Sequence, residues 1–154
     1  MDLNEINTYI HQHIPMTAAI GARVDSFDGQ RVAVSAPLEP NLNHRNTAFG
    51  GSLAALGIVS GWVLLFLKLK ESGIANRLVI SKSSFDFLEP VDGAFSAICQ
   101  LPGTEEWGEF LRTLKRRGRS RINLHSEIIG PGGGTAGRHE GVYVAVVSKE
   151  GGSG

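Results

Sequence analysis

The hydrophobic positions change period several times along the chain, and each change marks an element. Leu3, Ile6, Ile10 and Ile14 recur at helical spacing, so residues 2–14 predict a short helix that Pro15 ends. Val32, Val34 and Ala36 then alternate with Arg31, Ala33 and Ser35, and Asp28-Gly29 is a tight-turn pair. Together they predict a hairpin with arms at 18–27 and 30–37. Residues 38–47, rich in Pro and Asn, predict a loop. From Ala48 to Leu67 no residue is charged; Lys68, Lys70 and Glu71 close the run, and Ser72-Gly73 reads as its stop. Period two returns at 77–88 and 94–101, separated by Pro90 and Asp92-Gly93. Phe95, Ala97, Cys99 and Leu101 fall on one face of the second strand. Trp107, Phe110, Leu111 and Leu114 stripe a helix over 104–117, with Thr104 as its N-cap and Gly118 as its C-terminal stop. Ile122, Leu124, Ser126 and Ile128 alternate in a further strand, Gly130 to Gly134 predict a turn, and a last strand covers 139–148.

The run from Ala48 is apolar nearly all round and must be buried on most sides. A membrane span needs ~20 such residues, and Gly57-x-x-x-Gly61 has the spacing of a membrane helix contact. The strands offer another solution. About six of them, linked mostly as hairpins, make an antiparallel sheet with one apolar face to cover. Sheet and helix then bury each other, which favours a soluble α+β domain over residues 1–150, without a membrane, and leaves 151–154 as a tail.

Composition adds limits. Lys+Arg and Asp+Glu are both 15, so whole-chain charge gives no reason to expect nucleic acid. Cys99 is the single cysteine, which excludes an internal disulfide and a Cys-rich zinc site and fits a reducing compartment such as the cytoplasm. The N-terminus lacks a basic segment followed by an apolar one, so no signal peptide is expected. No metal constellation or cofactor motif stands out. His11 and His13 point to different helix faces. His125 and His139 read as residues of exposed strand faces or ends, and Cys99 as a small core residue.

The chemistry concentrates in Asn43-His44-Arg45-Asn46-Thr47-Ala48-Phe49-Gly50-Gly51-Ser52. A helix start carries unpaired N–H groups and partial positive charge. Glycines let a ligand approach its backbone, and the N–H groups of Gly50, Gly51 and Ser52 suit a carbonyl oxygen that becomes negative. His44 is a candidate base, because histidine is the side chain suited to proton transfer at physiological pH. Ser52 lacks a visible His-acid partner and reads as a substrate contact or cap rather than a nucleophile. Asn46 and Thr47 serve equally well as turn residues.

This run resembles hotdog thioesterases, in which a curved antiparallel sheet wraps a long central helix. Many of them carry an Asn, then a Gly, then His-Gly-Gly at the helix start. Here the Asn is Asn43, Asn46 stands where Gly is usual, and Phe49 replaces the His before Gly50-Gly51. With Gly61-Trp62, the run is similar to the thioesterase-like domain fused in some bacteria to a GNAT-type acetyltransferase, of which this chain would be a stand-alone version. The resemblance implies homodimers or dimers of dimers with a substrate tunnel at the interface, and acyl groups on coenzyme A or acyl carrier protein as substrates. It makes Asn43, His44, Gly50 and Gly51 the catalytic candidates and Asn46, Thr47, Phe49 and Ser52 the substrate contacts. Such thioesterases commonly place an acid on the central helix; here none precedes Glu71, which leaves Asp86, Glu89 and Glu127 unranked. Hydrolysis is the first expectation. Decarboxylation of malonyl-acyl carrier protein, which needs an oxyanion site more than a base, is the second. A non-catalytic acyl-binding or carrier-docking module is the third. The basic group Arg112, Lys115, Arg116, Arg117, Arg119 and Arg121 predicts a contact for coenzyme A phosphates or an acidic carrier protein, with Arg116 and Arg117 at its centre.

Overall fold

The computed structural model describes residues 1–148; the 151–154 tail lies outside the described residues. Helix α1 (Leu3–His13) buries Ile6 and Ile10 and is closed by a capping box between Asp2 and Glu5. Pro15 does more than end it. Pro suits the first turn of a helix, and here it opens a five-residue helix α2 (Pro15–Ala19). The first arm of the hairpin therefore begins five residues later than the alternation suggests, as β1 (Arg23–Phe27) paired with β2 (Arg31–Ala36). Asp28 shapes the turn by accepting the Gln30 and Arg31 N–H groups.

The uncharged run is α3 (Gly50–Ser72), stopped by Gly73 at φ +73°. The strands β3 (Asn76–Phe87), β4 (Phe95–Gln100), β5 (Arg119–Ile129) and β6 (Thr135–Val147) complete the sheet, with α4 (Thr104–Arg117) between β4 and β5. Gly103 rather than Thr104 occupies the N-cap of α4, without a side-chain bond. The antiparallel sheet has the order β1-β2-β4-β5-β6-β3. Among the described residues, only β1–β2 and β5–β6 are hairpins. The segment with Pro90 and Asp92-Gly93 carries the chain from β3, at one edge, across to β4, between β2 and β5.

Helix α3 lies against strands β2 to β6, and its length and composition would also allow a membrane crossing. Here Leu56, Val63, Leu64, Leu65 and Leu69 are buried in the core that the sheet closes over. The small residues fix how closely it sits. A Cβ on Gly57 would stand 2.7 Å from Cβ of His139, and one on Gly61 would meet the Tyr143 ring. The Gly57-x-x-x-Gly61 spacing is thus a seat for two rings of β6. Tyr143 also donates its hydroxyl hydrogen to the Ile58 carbonyl at 2.8 Å.

Strand β6 begins four residues earlier than its apolar alternation. Ala136 and Gly137 have little β propensity, but β3 and β5 pair with this stretch from both sides. His139 therefore falls inside the strand, on the face toward α3, and is 1% exposed. That corrects its expected place on an exposed face or end; His125 is exposed as expected. His11 bonds the Ala22 carbonyl at 2.7 Å and His13 stacks on Tyr9, so each serves α1 separately.

Candidate active site

The loop before α3 is built by two asparagines. Asn41 is buried, and its amide nitrogen donates to the Ile20 and Pro37 carbonyls. Its own carbonyl accepts the Phe49 N–H at 2.7 Å, while the Val91 carbonyl accepts the Ala48 N–H at 2.8 Å. Asn43 shapes the tip. Its Oδ1 accepts from Arg45 N–H and Thr47 N–H, and its Nδ2 donates to Thr47 Oγ1 at 2.8 Å. One hydrogen of the Asn43 amide remains for a ligand. Asn46 takes φ +64°, the left-handed conformation that asparagine tolerates. That explains how it stands where the resemblance has a glycine.

These bonds deliver Phe49 to the N-cap of α3, where no side chain caps the helix. Ser52 N–H donates to the Phe49 carbonyl at 2.9 Å. It is therefore removed from the expected set of three open donors. The N–H groups of Gly50 and Gly51 find no acceptor among the described residues. Both glycines lie under aromatic rings. A Cβ at Gly51 would stand 2.5 Å from the Phe49 ring, and one at Gly50 3.0 Å from the Phe87 ring. Phe49 is 58% exposed and Phe87 59%, with Leu42 and Leu88 exposed beside them. A cavity of about 300 Å³ opens here, lined by Gly50, Leu53 and residues 87–91. The arrangement offers two backbone donors beside apolar side chains, with one amide donor in the loop before them, which suits a carbonyl attached to a hydrophobic acyl group.

His44 is exposed at the loop tip and bonds to nothing among the described residues. Of the three acids, only Glu89 lines the cavity. Glu127 alternates with Ser126 and Ile128, which are buried under α3, so it points to the other face, where it accepts from Thr135 and lies 4.0 Å from Arg138. Asp86 alternates with Phe85 and Phe87 and likewise faces away from the helix. Arg116 and Arg117 are exposed at the end of α4. The Gly118 carbonyl beside them accepts from Val147, whose partner in β3 is Asn76. Phe87, over Gly50, ends the same strand, roughly 35 Å away at the usual rise per residue. The basic group and the helix start of one chain are therefore not brought together.

One polar pair went unread in the sequence. Ser83 Oγ lies 2.7 Å from Nε2 of His139, and Nδ1 of that ring is buried without a partner. Burial holds the His139 pKa below its ordinary 6.5, against a smaller upward pull from Glu140. A signal existed: Ser83 shares the period of Phe85 and Phe87, and His139 that of Gly141 and Tyr143. Cys99 is buried, and burial raises its thiol pKa to about 11, so it stays protonated.

The architecture has known counterparts. A protein of unknown function from Chlorobaculum tepidum is 30% identical, with a TM-score of 0.89 over 94% of each chain. A structure described as a putative thioesterase from Shewanella oneidensis is 26% identical, with a TM-score of 0.83 over 94% of this chain and 96% of that one. A thioesterase from Haemophilus influenzae, 14% identical, shares the fold at a TM-score of 0.77 over 97% and 94% of the two chains. These neighbours make the wrapped-helix architecture a hotdog fold. The family YiiD_C, described as "Putative thioesterase (yiiD_Cterm)", matches residues 3–147, and the chain belongs to it.

Proposed function

We infer that the protein hydrolyses acyl thioesters at the start of α3. The observation that carries this reading is the uncapped helix start, where the Gly50 and Gly51 N–H groups find no acceptor among the described residues and Gly50 lines a cavity with Leu53, Phe87 and Leu88; Asn43, with one amide hydrogen left over, stands in the loop just before it. The thioester carbonyl accepts these bonds, and they strengthen as the oxygen gains charge in the tetrahedral intermediate. Phe49, Phe87 and Leu53 hold the acyl group, Thr47 and Asn46 keep Asn43 in place, and Ser52 and His44 flank the entrance. Coenzyme A or acyl carrier protein bears the acyl chain. Two copies form the working unit, because β3 ends the sheet with a free edge beside exposed Phe49, Phe87 and Leu88. A buried, protonated Cys99 as the single cysteine agrees with a place in the cytoplasm.

A second reading is decarboxylation of a malonyl thioester, which the resemblance to the GNAT-fused branch implies. It is favoured by the absence of a carboxylate along α3 before Glu71. Loss of CO₂ leaves an enolate whose charge sits on the same oxygen, so the three donors serve it without a base. Mass spectrometry of products from acyl and malonyl thioesters on both carriers separates the readings. Free acid plus thiol supports hydrolysis, and an acetyl thioester from malonyl supports decarboxylation. Unchanged substrate despite measurable binding would leave a binding module.

A further inference from the structure

A thioester held by Gly50 and Gly51 needs a water made nucleophilic, and α3 carries no acid before Glu71, at its far end. Glu89 lines the cavity but is exposed to solvent. Ser83 and His139 offer a second, more enclosed group. Ser83 is exposed on β3, on the face toward α3, while the ring it bonds is sealed beneath it against Gly57. A buried polar atom left unpartnered, as Nδ1 of His139 is, is uncommon and calls for an explanation. With the proton on Nδ1, Nε2 accepts from the Ser83 hydroxyl, and the neutral ring is the form that takes a proton.

The pair is out of reach of its own helix start. Gly57 is seven residues beyond Gly50, about 10 Å along the helix axis. Strand β3, however, has a free edge, and the exposed apolar residues Phe49, Phe87 and Leu88 gather at its Phe87 end. Covering them with a second copy places a twofold axis near this end of the strand. Antiparallel pairing about an axis near Phe85 sets Ser83 of one copy opposite Phe87 of the other, one strand spacing of about 4.8 Å away.

We propose that Ser83 and His139 of one copy form the proton relay that activates water at the helix start of the other. This rests on the hydrolase reading and on the paired unit above. The water oxygen bonds to the carbonyl carbon as a water proton passes to Ser83 Oγ and the Ser83 proton passes to Nε2 of His139. The tetrahedral intermediate then expels the thiolate, breaking the C–S bond, and the proton returns through Ser83 to the sulfur. Acid and thiol leave, and both side chains regain their starting state. Ser83 touches the water; His139 acts through it as a positioning and proton-holding residue.

The test uses the full chain with an acyl thioester that the wild type hydrolyses. Ser83→Ala should lower kcat at least ~100-fold with KM within about twofold, the scale of a lost general base. His139→Gln keeps a side chain that can bond Ser83 but accepts no proton, and should match it. Copies carrying Asn43→Ala are then unfolded and refolded with an equal amount of Ser83→Ala copies. Half of the resulting dimers contain one of each, with one of two sites intact, so activity should return to about a quarter of wild type. Refolding Asn43→Ala copies with His139→Gln copies should restore the same quarter, which a merely structural role for His139 within its own copy would not produce. No recovery would mean that the relay and donors belong to one chain, and would overturn the assignment. Near-wild-type kcat in Ser83→Ala, or a loss that follows Glu89→Gln instead, would also overturn it while leaving the hydrolase reading standing. A wild type that turns over no thioester would remove the hydrolase reading and this inference with it.

Discussion

Asn43 shows how one residue can hold two roles that a substitution must separate. Its three side-chain bonds tie the loop together, and its remaining hydrogen is the proposed donor. Asn43→Ala removes all of these and should destabilise the protein by about 1–3 kcal/mol, at the usual net worth of each bond. Asn43→Asp keeps an oxygen in the Oδ1 place and can accept from the Thr47 hydroxyl, so the loop should survive with a small change in Tm. The donor is lost, and kcat for decarboxylation should fall ~10²–10³-fold. Hydrolysis in the same variant could hold or rise if the carboxylate acts as base; unchanged turnover of both substrates by either variant would reduce Asn43 to a turn residue. The buried imidazole gives a pH prediction. Burial lowers the His139 pKa in the folded state, with His125 adding slightly and Glu140 opposing. The unfolded chain therefore takes up this proton first as pH falls from about 6.5. The stability from keeping the ring neutral is complete above that pH and is lost as pH drops toward and through the lowered value. Thermal melts between pH 7.5 and 5 should show falling Tm, with a shallower slope in His139→Gln. Equal slopes would exclude His139 as the source. Asp28, whose pKa is also lowered, acts below 3.8 and stays outside this window.

At the scale of elements, helices were the most legible part of the chain. Helix α4 spans the residues its stripe predicted, and α3 stops at Gly73 as its composition suggested. Their signals are local: periodicity, charge and a glycine that accepts positive φ. What was not legible depends on partners distant in sequence. The start of β6 is a strand because β3 and β5 pair with it, and β3 sits at the sheet edge rather than beside β4 for reasons no local pattern encodes. The site divided in the same way. Asn43 and the glycine pair stood out as one contiguous run, whereas Ser83 and His139 are 56 residues apart and meet only through strand register. Two of the helical glycines, Gly57 and Gly108, make this contrast measurable. Gly57→Ala pushes a methyl into His139 and should cost about 1–3 kcal/mol, lowering Tm by roughly 3–9 °C. Gly108→Ala in α4 meets only the flexible end of Arg112, at 3.2 Å. It should gain up to ~1 kcal/mol from helix propensity. If the two variants melt alike, close packing of β6 on α3 is not what Gly57 provides.

For the whole molecule, the free β3 edge and the apolar surface near Phe87 predict a particle of at least twice 16.5 kDa by light scattering in detergent-free buffer. Leu88→Asp places a charge on that surface and should yield the monomer. A wild-type monomer would remove any site shared between copies. The basic group tests the architecture from the other end. Its arginines neighbour the Asn76 end of β3, while the donors lie at the Phe87 end. Arg112 is already paired with Glu109 at 2.8 Å, which leaves Lys115, Arg116 and Arg117 as the exposed cations of the last helical turn. Pairing about an axis near Phe85 carries the two Asn76 ends still farther apart, so neither copy's arginines approach either helix start. Electrostatic attraction between exposed charges fades beyond about 10 Å at 0.1 M salt. Reversing both residues, Arg116→Glu with Arg117→Glu, should therefore leave KM for a carrier-bound thioester within about twofold at that salt. A KM that rises more, and increasingly as salt is lowered, would instead show a carrier protein bridging the two ends. In that event a short thioester without phosphates should be turned over normally by the same variant, because it reaches Gly50 and Gly51 without touching α4.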